Sequence, residues 1–278
     1  MTNYRFYGKI VIVKPILRLS AVPMEVIMKN ILKKISDAMN ILTHKRERPF
    51  TSAVILAAGL SARMQGISKQ MIELSGKSVI AHTLCAFQEC ELIDEIIVVT
   101  NEAELPYYNE EFKKEYGLTK ISRVVLGGNT RARSAENGFS AVSKNADFVA
   151  IHDGARCLIT PEKISAVVKA AFEKGAAIAA TKATDTMKKA DEDGKITGTL
   201  DRSKIWRAQT PQVFKKSIYF VSLKNCKSKG AAITDDAMMA EHAGFNVYCI
   251  ETGSDNIKIT TPADIREVLG VLNGRCEK

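Results

Sequence analysis

A doubly wound α/β sheet with mostly parallel strands is the fold that this 278-residue chain predicts. Three observations predict it. Short apolar, β-branched segments recur at 53–57, 95–100, 121–128, 147–153 and 176–181. Stretches with helical spacing, about 10–15 residues long, separate them, as crossovers between parallel strands require. Small-residue loops follow the strands, at AAG (57–59), Gly127-Gly128 and HDGAR (152–156), where ligands of open α/β sheets bind.

The elements follow in order. Residues 24–42 place Val26, Ile27, Ile31, Leu32, Ile35, Met39 and Leu42 at helical spacing, with Lys29, Lys33 and Lys34 among the polar positions. A helix packed on the body or on a partner chain is expected there. A basic amphipathic helix lying on anionic lipid is the sharper alternative. HKRERP at 44–49 reads as a linker. Ala53–Leu56 form a buried strand without a polar residue. A helix around 78–89, the strand EIIVVT at 95–100 and a helical stretch at 103–116 come next. ISRVVLGG (121–128), a helix at 131–143 and DFVAIHD (147–153) continue the alternation, then a helix at 161–174 and AAIAAT (176–181). Residues 184–212 break the rhythm: a polar, mixed-charge ribbon flanks Asp193-Gly194, which predicts a protruding β-hairpin arm. A helix near 235–243, a strand at 246–250 and a final helix after Pro262 complete the chain.

Composition excludes several classes. Apolar residues make up 46% and charged residues 26%, as in a soluble globular protein. The net charge of +9 belongs mostly to residues 1–50, which hold ten Lys/Arg against three Asp/Glu; the other 228 residues hold 30 against 28. Basicity confined to an extension, with no interleaved aromatics, argues against nucleic-acid binding. Six cysteines without a CxxC pair argue against a zinc site and a disulfide framework, and fit a reducing cytoplasm. No apolar run reaches the length of a transmembrane helix, and no secretory cleavage site follows Ile10–Leu17.

The chemistry concentrates in AVILAAGLSARMQGISKQMIEL (53–74). Ala57, Ala58 and Gly59 let a ligand approach the backbone, whose amides can cradle an anion, and Arg63 and Lys69 add positive charge. An ordinary strand-to-helix turn with two solvated cations fits the same spacing. Two phosphate motifs are excluded: no GxGxxG follows the strand, and Met71 stands where a Walker A loop ending at Gly76-Lys77-Ser78 needs its first glycine. In GGNTRARS (127–134) the glycines can close on a ring, Ser134 offers a hydroxyl, and Arg131 opens a helix. In HDGAR, Asp153 suits a ribose hydroxyl or Mg²⁺, with Gly154 and Arg156 beside it. In DRSKIWRAQTPQ (201–212) Arg202 and Thr210 can grip a second phosphate. TDDA (234–237) supplies a helix cap from Thr234 or Asp235, and DNIKIT (255–260) supplies Lys258.

With LAAGLSARM, SKQ, GGNTRARS, HDGAR, DTMK, WRAQTPQ, TDDA and DNIKIT in this order, the chain from about 51 to 272 resembles the 2-C-methyl-D-erythritol 4-phosphate cytidylyltransferase family. The resemblance implies the Rossmann-like fold of nucleotide-diphospho-sugar transferases with a dimerisation arm at about 184–212. It also implies transfer of CMP from CTP to methylerythritol phosphate, with Mg²⁺ held mainly by CTP phosphates and Asp153 as a candidate ligand. By the same resemblance Ala57, Ala58, Gly59, Gly128 and Ser134 hold the nucleotide, and Arg63 and Lys69 stabilise the transition state. Asp153 and Arg156 then lie near the ribose and substrate, and Arg202 and Lys258 position the substrate phosphate with Thr210 beside them. The arm would carry its Arg and Thr into a partner's site, which implies a homodimer. Ser68 stands where the family usually has proline, in a loop one residue short, so a loosened Lys69 is expected; Gly154 replaces a common alanine and Cys157 a usual proline. The rival readings are a ribitol-5-phosphate cytidylyltransferase and a nucleotide-binding protein without catalysis. HDGARCLIT, rather than HDxVRPF, favours methylerythritol phosphate over ribitol phosphate.

Overall fold

The computed structural model describes residues 48–59, 68–229 and 233–276, together with positions 28, 29, 32 and 33. Two compact units divide the chain, residues 1–47 and 48–278. In the first, positions 28, 29, 32 and 33 are helical, inside the helix expected at 24–42; the remainder of that helix lies outside the described residues.

The second unit is built on the expected alternation. Its strands are β1 (Thr51–Leu56), β2 (Glu73–Leu74), β3 (Lys77–Ser78), β4 (Glu95–Thr100), β5 (Ile121–Leu126), β6 (Phe148–Asp153), β7 (Ala176–Lys182), β8 (Lys188–Ala190), β9 (Ile196–Thr199), β10 (Trp206–Lys215) and β11 (Tyr248–Glu251). The helices between them are α1 (Val79–Glu89), α2 (Glu110–Glu115), α3 (Arg131–Ala141), α4 (Pro161–Lys174), α5 (Lys216–Lys229), α6 (Asp236–His242) and α7 (Pro262–Cys276). Among the described residues, seven strands form one sheet in the order β11-β7-β10-β6-β1-β4-β5, and β10 runs antiparallel to both its neighbours. β1, β4, β6 and β7 are buried almost throughout, so both sheet faces are covered and their apolar runs need no alternation.

Chain order reverses between β1 and β6. From β1 the chain moves outward through β4 to β5, then returns to place β6 on the other side of β1. Parallel pairing sets Leu56 opposite Asp153 at the carboxyl ends of the two strands. A crevice opens at such a reversal, because the loops leaving the two strands diverge to opposite faces.

Side-chain oxygens start the crossover helices, each accepting an otherwise unpaired backbone N–H: Ser78 for α1, Thr130 for α3, Thr160 for α4 and Asp235 for α6. Of the two caps considered for α6, Asp235 is the one used.

Three elements differ from expectation. The stretch 103–116 splits into a 3₁₀ turn, Leu105–Tyr108, and α2, because Asn109 caps a new helix. Helix α5 lies in a polar stretch, FKKSIYFVSLKNCKSK, whose spacing gave no sign of it. The arm is shorter than 184–212: only β8 and β9 form the exposed hairpin, while Trp206–Lys215 enters the central sheet. The apolar run Val213-Phe214 is fully buried there, and that burial draws the strand inward.

Candidate active site

At the β1/β6 reversal lies a cleft of about 610 Å³. Ala58 and Gly59 after β1, Gly127 and Gly128 after β5, and Arg131 and Ser134 on α3 line it, with Asp153, Lys69 and Lys258. Thr100, Asn101 and Glu102 at the end of β4 complete one wall with Asn129 and Thr130.

The glycine loop is shaped by its neighbours. Gly128 N–H donates to Ser134 Oγ at 3.0 Å, and Gly127 N–H donates to the Thr100 carbonyl at 2.8 Å. A Cβ on Gly127 would stand 2.3 Å from Ala58 Cβ, so the loops after β1 and β5 touch because neither carries bulk. Ala57 is fully buried and its N–H donates to the Val99 carbonyl. It belongs to the sheet core and is not among the residues that line the cleft.

Asp153 is the electrostatic centre. Its Oδ1 accepts from Arg131 Nε at 3.1 Å, and its Oδ2 lies 2.8 Å from Lys258 Nζ and 3.8 Å from Arg156 Nε. Burial alone would raise this carboxyl, yet Arg131, Lys258 and Arg156 together hold it well below the usual carboxylate range. Arg131 is gripped from its other side by Asp236 at 2.7 Å, and Asp236 also accepts from the Tyr219 hydroxyl at 2.8 Å. One rigid array therefore presents Arg131 and Lys258 to the cleft.

Arg156 is not among the residues that line it. Its Nη1 donates to the Asn256 carbonyl at 2.8 Å, beneath the loop that carries Lys258, and burial lowers its pKa. It braces that loop from beside Asp153. Gly154 is likewise structural: its N–H donates to the Leu56 carbonyl and its carbonyl accepts from the Thr83 hydroxyl.

Thr210 is also relocated. The ladder between β7 and β10 is interrupted between Ala208 and Gln212, and Thr210 is buried inside that interruption. Its Oγ1 accepts from Asp153 N–H at 3.0 Å and meets His152 Nδ1 at 3.0 Å. These bonds fix the backbone that carries Asp153. Burial drives the neighbouring His152 down to about 3, so the ring is neutral. Arg202 sits exposed at the base of the arm, with Nη1 donating to the Thr184 carbonyl, and is not among the residues lining this cleft. Arg63 lies outside the described residues.

Buried amides escaped the sequence reading. Gln209 Oε1 accepts from Asn256 Nδ2 and from the Thr252 hydroxyl, both at 3.0 Å, and Asn256 also donates to the Thr210 carbonyl. These bonds tie the Lys258 loop to β10. The motifs QTPQ and DNIKIT were visible, but an amide's place depends on partners 47 residues apart in sequence.

Among the described residues no group of three or more His, Cys, Asp or Glu could hold a metal. The cleft offers Asp153, already engaged by cations, and Glu102. Magnesium keeps several waters and binds through one or two carboxylates plus phosphate oxygens, and this donor set fits it only in that partial way.

Residues 51–272 match the family described as 2-C-methyl-D-erythritol 4-phosphate cytidylyltransferase. The protein of that name from Caldanaerobacter subterraneus subsp. tengcongensis is 43% identical over 215 residues, covering 77% of this chain and 95% of its own. Its namesake from Syntrophus aciditrophicus is 40% identical over 219 residues, covering 78% and 94%. Among solved structures, 4-diphosphocytidyl-2C-methyl-D-erythritol synthase from Anaerococcus prevotii superposes with a TM-score of 0.73 at 29% identity, covering 81% of this chain and 96% of that one. The Francisella tularensis 2-C-methyl-D-erythritol 4-phosphate cytidylyltransferase gives 0.65 at 29% identity, covering 79% and 98%.

Proposed function

The chain belongs to the 2-C-methyl-D-erythritol 4-phosphate cytidylyltransferase family, and from that premise we propose how its own residues transfer CMP from CTP to methylerythritol phosphate. The observation that carries the reading is the joining of Lys69, Arg131 and Lys258 to a glycine-rich wall in one cleft at the β1/β6 reversal.

The acceptor is a phosphate monoester, ionised at neutral pH, so its own oxygen attacks the α-phosphorus of CTP and pyrophosphate leaves. No protein base is required. What the protein supplies is in-line placement and compensation of the charge that grows on the α-phosphate and leaving group. Lys69, with Arg63 beside it in sequence, meets the triphosphate. Ala58, Gly59, Gly128 and Ser134 receive the nucleoside through backbone and hydroxyl groups. Lys258, oriented by Asp153, receives the acceptor phosphate. Asp153 or Glu102, together with the CTP phosphates, would hold Mg²⁺, which would supply further neutralisation of the triphosphate.

Arg202 on the arm is read as acting on the neighbouring copy of a homodimer. Its exposure and its absence from the residues lining the cleft of its own chain support this. Mixing inactive Lys69→Ala and Arg202→Ala chains should then restore activity, because one site of the mixed dimer regains both residues. The protein is assigned to the cytoplasm, a reading supported by free thiols at Cys85, Cys90, Cys157, Cys226 and Cys249. No helix among the described residues is long and apolar enough to cross a membrane.

Pyrophosphate release from CTP with methylerythritol 4-phosphate, set against ribitol 5-phosphate, tests the substrate. Faster turnover of the ribitol ester would overturn the choice. Lys69→Ala should lower turnover by roughly 10²–10³, as loss of one oxyanion donor does; normal turnover in that variant would sink the mechanism.

A further inference from the structure

We propose that Ser68 is a positioning residue for Lys69, acting through a hydrogen bond to Glu104. The inference rests on the role assigned to Lys69 above.

The turn that carries Lys69 is tied on both sides. On its far side, Met71 N–H donates to the Ser68 carbonyl at 3.1 Å, closing a turn with Lys69 and Gln70 at its centre. The Gln70 carbonyl then accepts from Ile80 N–H at 3.1 Å, and the Ile72 carbonyl from Val79 N–H at 2.9 Å, which anchors the segment to the start of α1. On the near side, where the chain enters from the loop after β1, the Ser68 hydroxyl donates to Glu104 Oε1.

Glu104 is itself fixed. Its N–H donates to Asn101 Oδ1 at 3.0 Å, and Leu105 N–H donates to the Asn101 carbonyl at 3.1 Å, so it belongs to a tight turn directly after β4. Asn101 and Glu102 of that turn line the cleft. The second oxygen of Glu104, Oε2, is buried and takes no hydrogen bond. A carboxylate so placed depends on the donor it has, because a buried charged acceptor left without one is costly. The Ser68–Glu104 bond therefore couples the Lys69 turn to the end of β4, tying the two walls of the cleft together.

This arrangement answers the missing proline. A proline would stiffen the chain before Lys69 by fixing its own φ. Serine leaves φ free and substitutes a side-chain tie to the opposite wall. In this reading that tie takes the place of the proline's stiffness in holding the turn that carries Lys69.

Steady-state kinetics on Ser68→Ala, Ser68→Thr, Glu104→Ala and the double variant Ser68→Ala/Glu104→Ala test the tie, with Lys69→Ala alongside. Displacement of a charge-stabilising group by about 1 Å can cost up to 10²-fold, so Ser68→Ala should lower kcat by roughly ten- to hundredfold. KM for CTP should stay within about threefold, since binding spreads over the rest of the cleft. Ser68→Thr keeps the hydroxyl and should hold kcat near the starting value. The double variant should be no slower than the slower single one, because both remove the same bond. Ser68→Ala turning over within twofold of the unaltered protein would overturn the inference, as would additive losses in the double variant. Were Ser68→Ala to unfold, the contrast between Ser68→Thr and Glu104→Ala would still decide. A Lys69→Ala variant of full activity would instead sink the mechanism above, so the two failures are distinguishable.

Discussion

Lys258 Nζ lies 2.8 Å from Asp153 Oδ2, joining the loop after β11 to the last residue of β6. Both come from the β6 side of the β1/β6 reversal, and the bond sets the distance between a cationic finger and the floor of the cleft. Arg131 and Arg156 share the same carboxylate, so Asp153 is the counter-charge of a whole cluster.

Removing that counter-charge should cost more than removing any one cation. Asp153→Asn keeps the shape but leaves Arg131, Lys258 and Arg156 facing one another with less solvent than they need. Breaking a buried pair this way costs about 3–5 kcal/mol, and the part-exposure of Lys258 argues for the lower end. Urea unfolding of Asp153→Asn against Lys258→Met measures it. Equal stability of the two variants would remove Asp153 from its central place.

Acid should destabilise the protein well before its carboxylates titrate. His152, buried against Phe87 and Thr210, titrates at about 3 when folded, against an ordinary value of 6.5. As pH falls below 6.5 the unfolded chain takes up a proton that the folded one refuses. Stability is thus complete above about 6.5 and drains away between 6.5 and about 3, by at most about 1.4 kcal/mol per pH unit. His82, also lowered by burial, adds to the loss in the upper part of that window. Asp153 adds its own loss only below its ordinary 3.8, where the unfolded carboxyl is protonated and the folded one is not. Unfolding free energies at pH 7 and pH 5 should differ by less in His152→Asn than in the unaltered chain. Identical pH slopes would show that the ring is not neutral when folded.

Thr210→Val tests whether this threonine supports Asp153 or touches substrate. Valine keeps the volume but strands Asp153 N–H and His152 Nδ1, both buried. The expected loss is about 1–3 kcal/mol of stability together with reduced turnover, and Thr210→Ser should restore most of both. A variant of unchanged stability with a raised KM for the acceptor phosphate would return Thr210 to the substrate.

The parts of the fold legible in the sequence are those governed by local rules. β1, β4, β6 and β7 were visible as apolar runs, and α1 and α4 as the helical stretches 78–89 and 161–174. Helix α5 was not, because its buried contacts, such as Tyr219 with Asp236, draw on partners elsewhere in the chain. Trp206–Gln212 was misread for the same reason. Its polar residues Gln209, Thr210 and Gln212 resemble a solvated ribbon until Thr252, Asp153 and Ala237 are brought to them. In the site, loop chemistry and cations were legible as residue types. Which cations face the cleft, as Lys258 does, and which brace it from behind, as Arg156 does, follows from hydrogen-bond partners 100 residues away.

Gly127→Ala should close the cleft from one side without disturbing the core beneath it. The added methyl would meet Ala58 Cβ at 2.3 Å and Ser134 Oγ at 2.9 Å, and neither neighbour has a flexible end that can swing clear. Relief requires the loop after β1 to separate from the loop after β5, which misplaces Ala58 and disturbs the Ser134 hydroxyl that accepts from Gly128 N–H. Affinity for CTP should therefore fall at least about tenfold, the equivalent of roughly 1.4 kcal/mol. The unfolding midpoint should change little, since the strain can be released at the open edge of the cleft. Calorimetric titration of CTP into Gly127→Ala, paired with thermal unfolding, separates the two effects. Undiminished CTP affinity in that variant would mean that the contact between the two loops does not shape the nucleotide site.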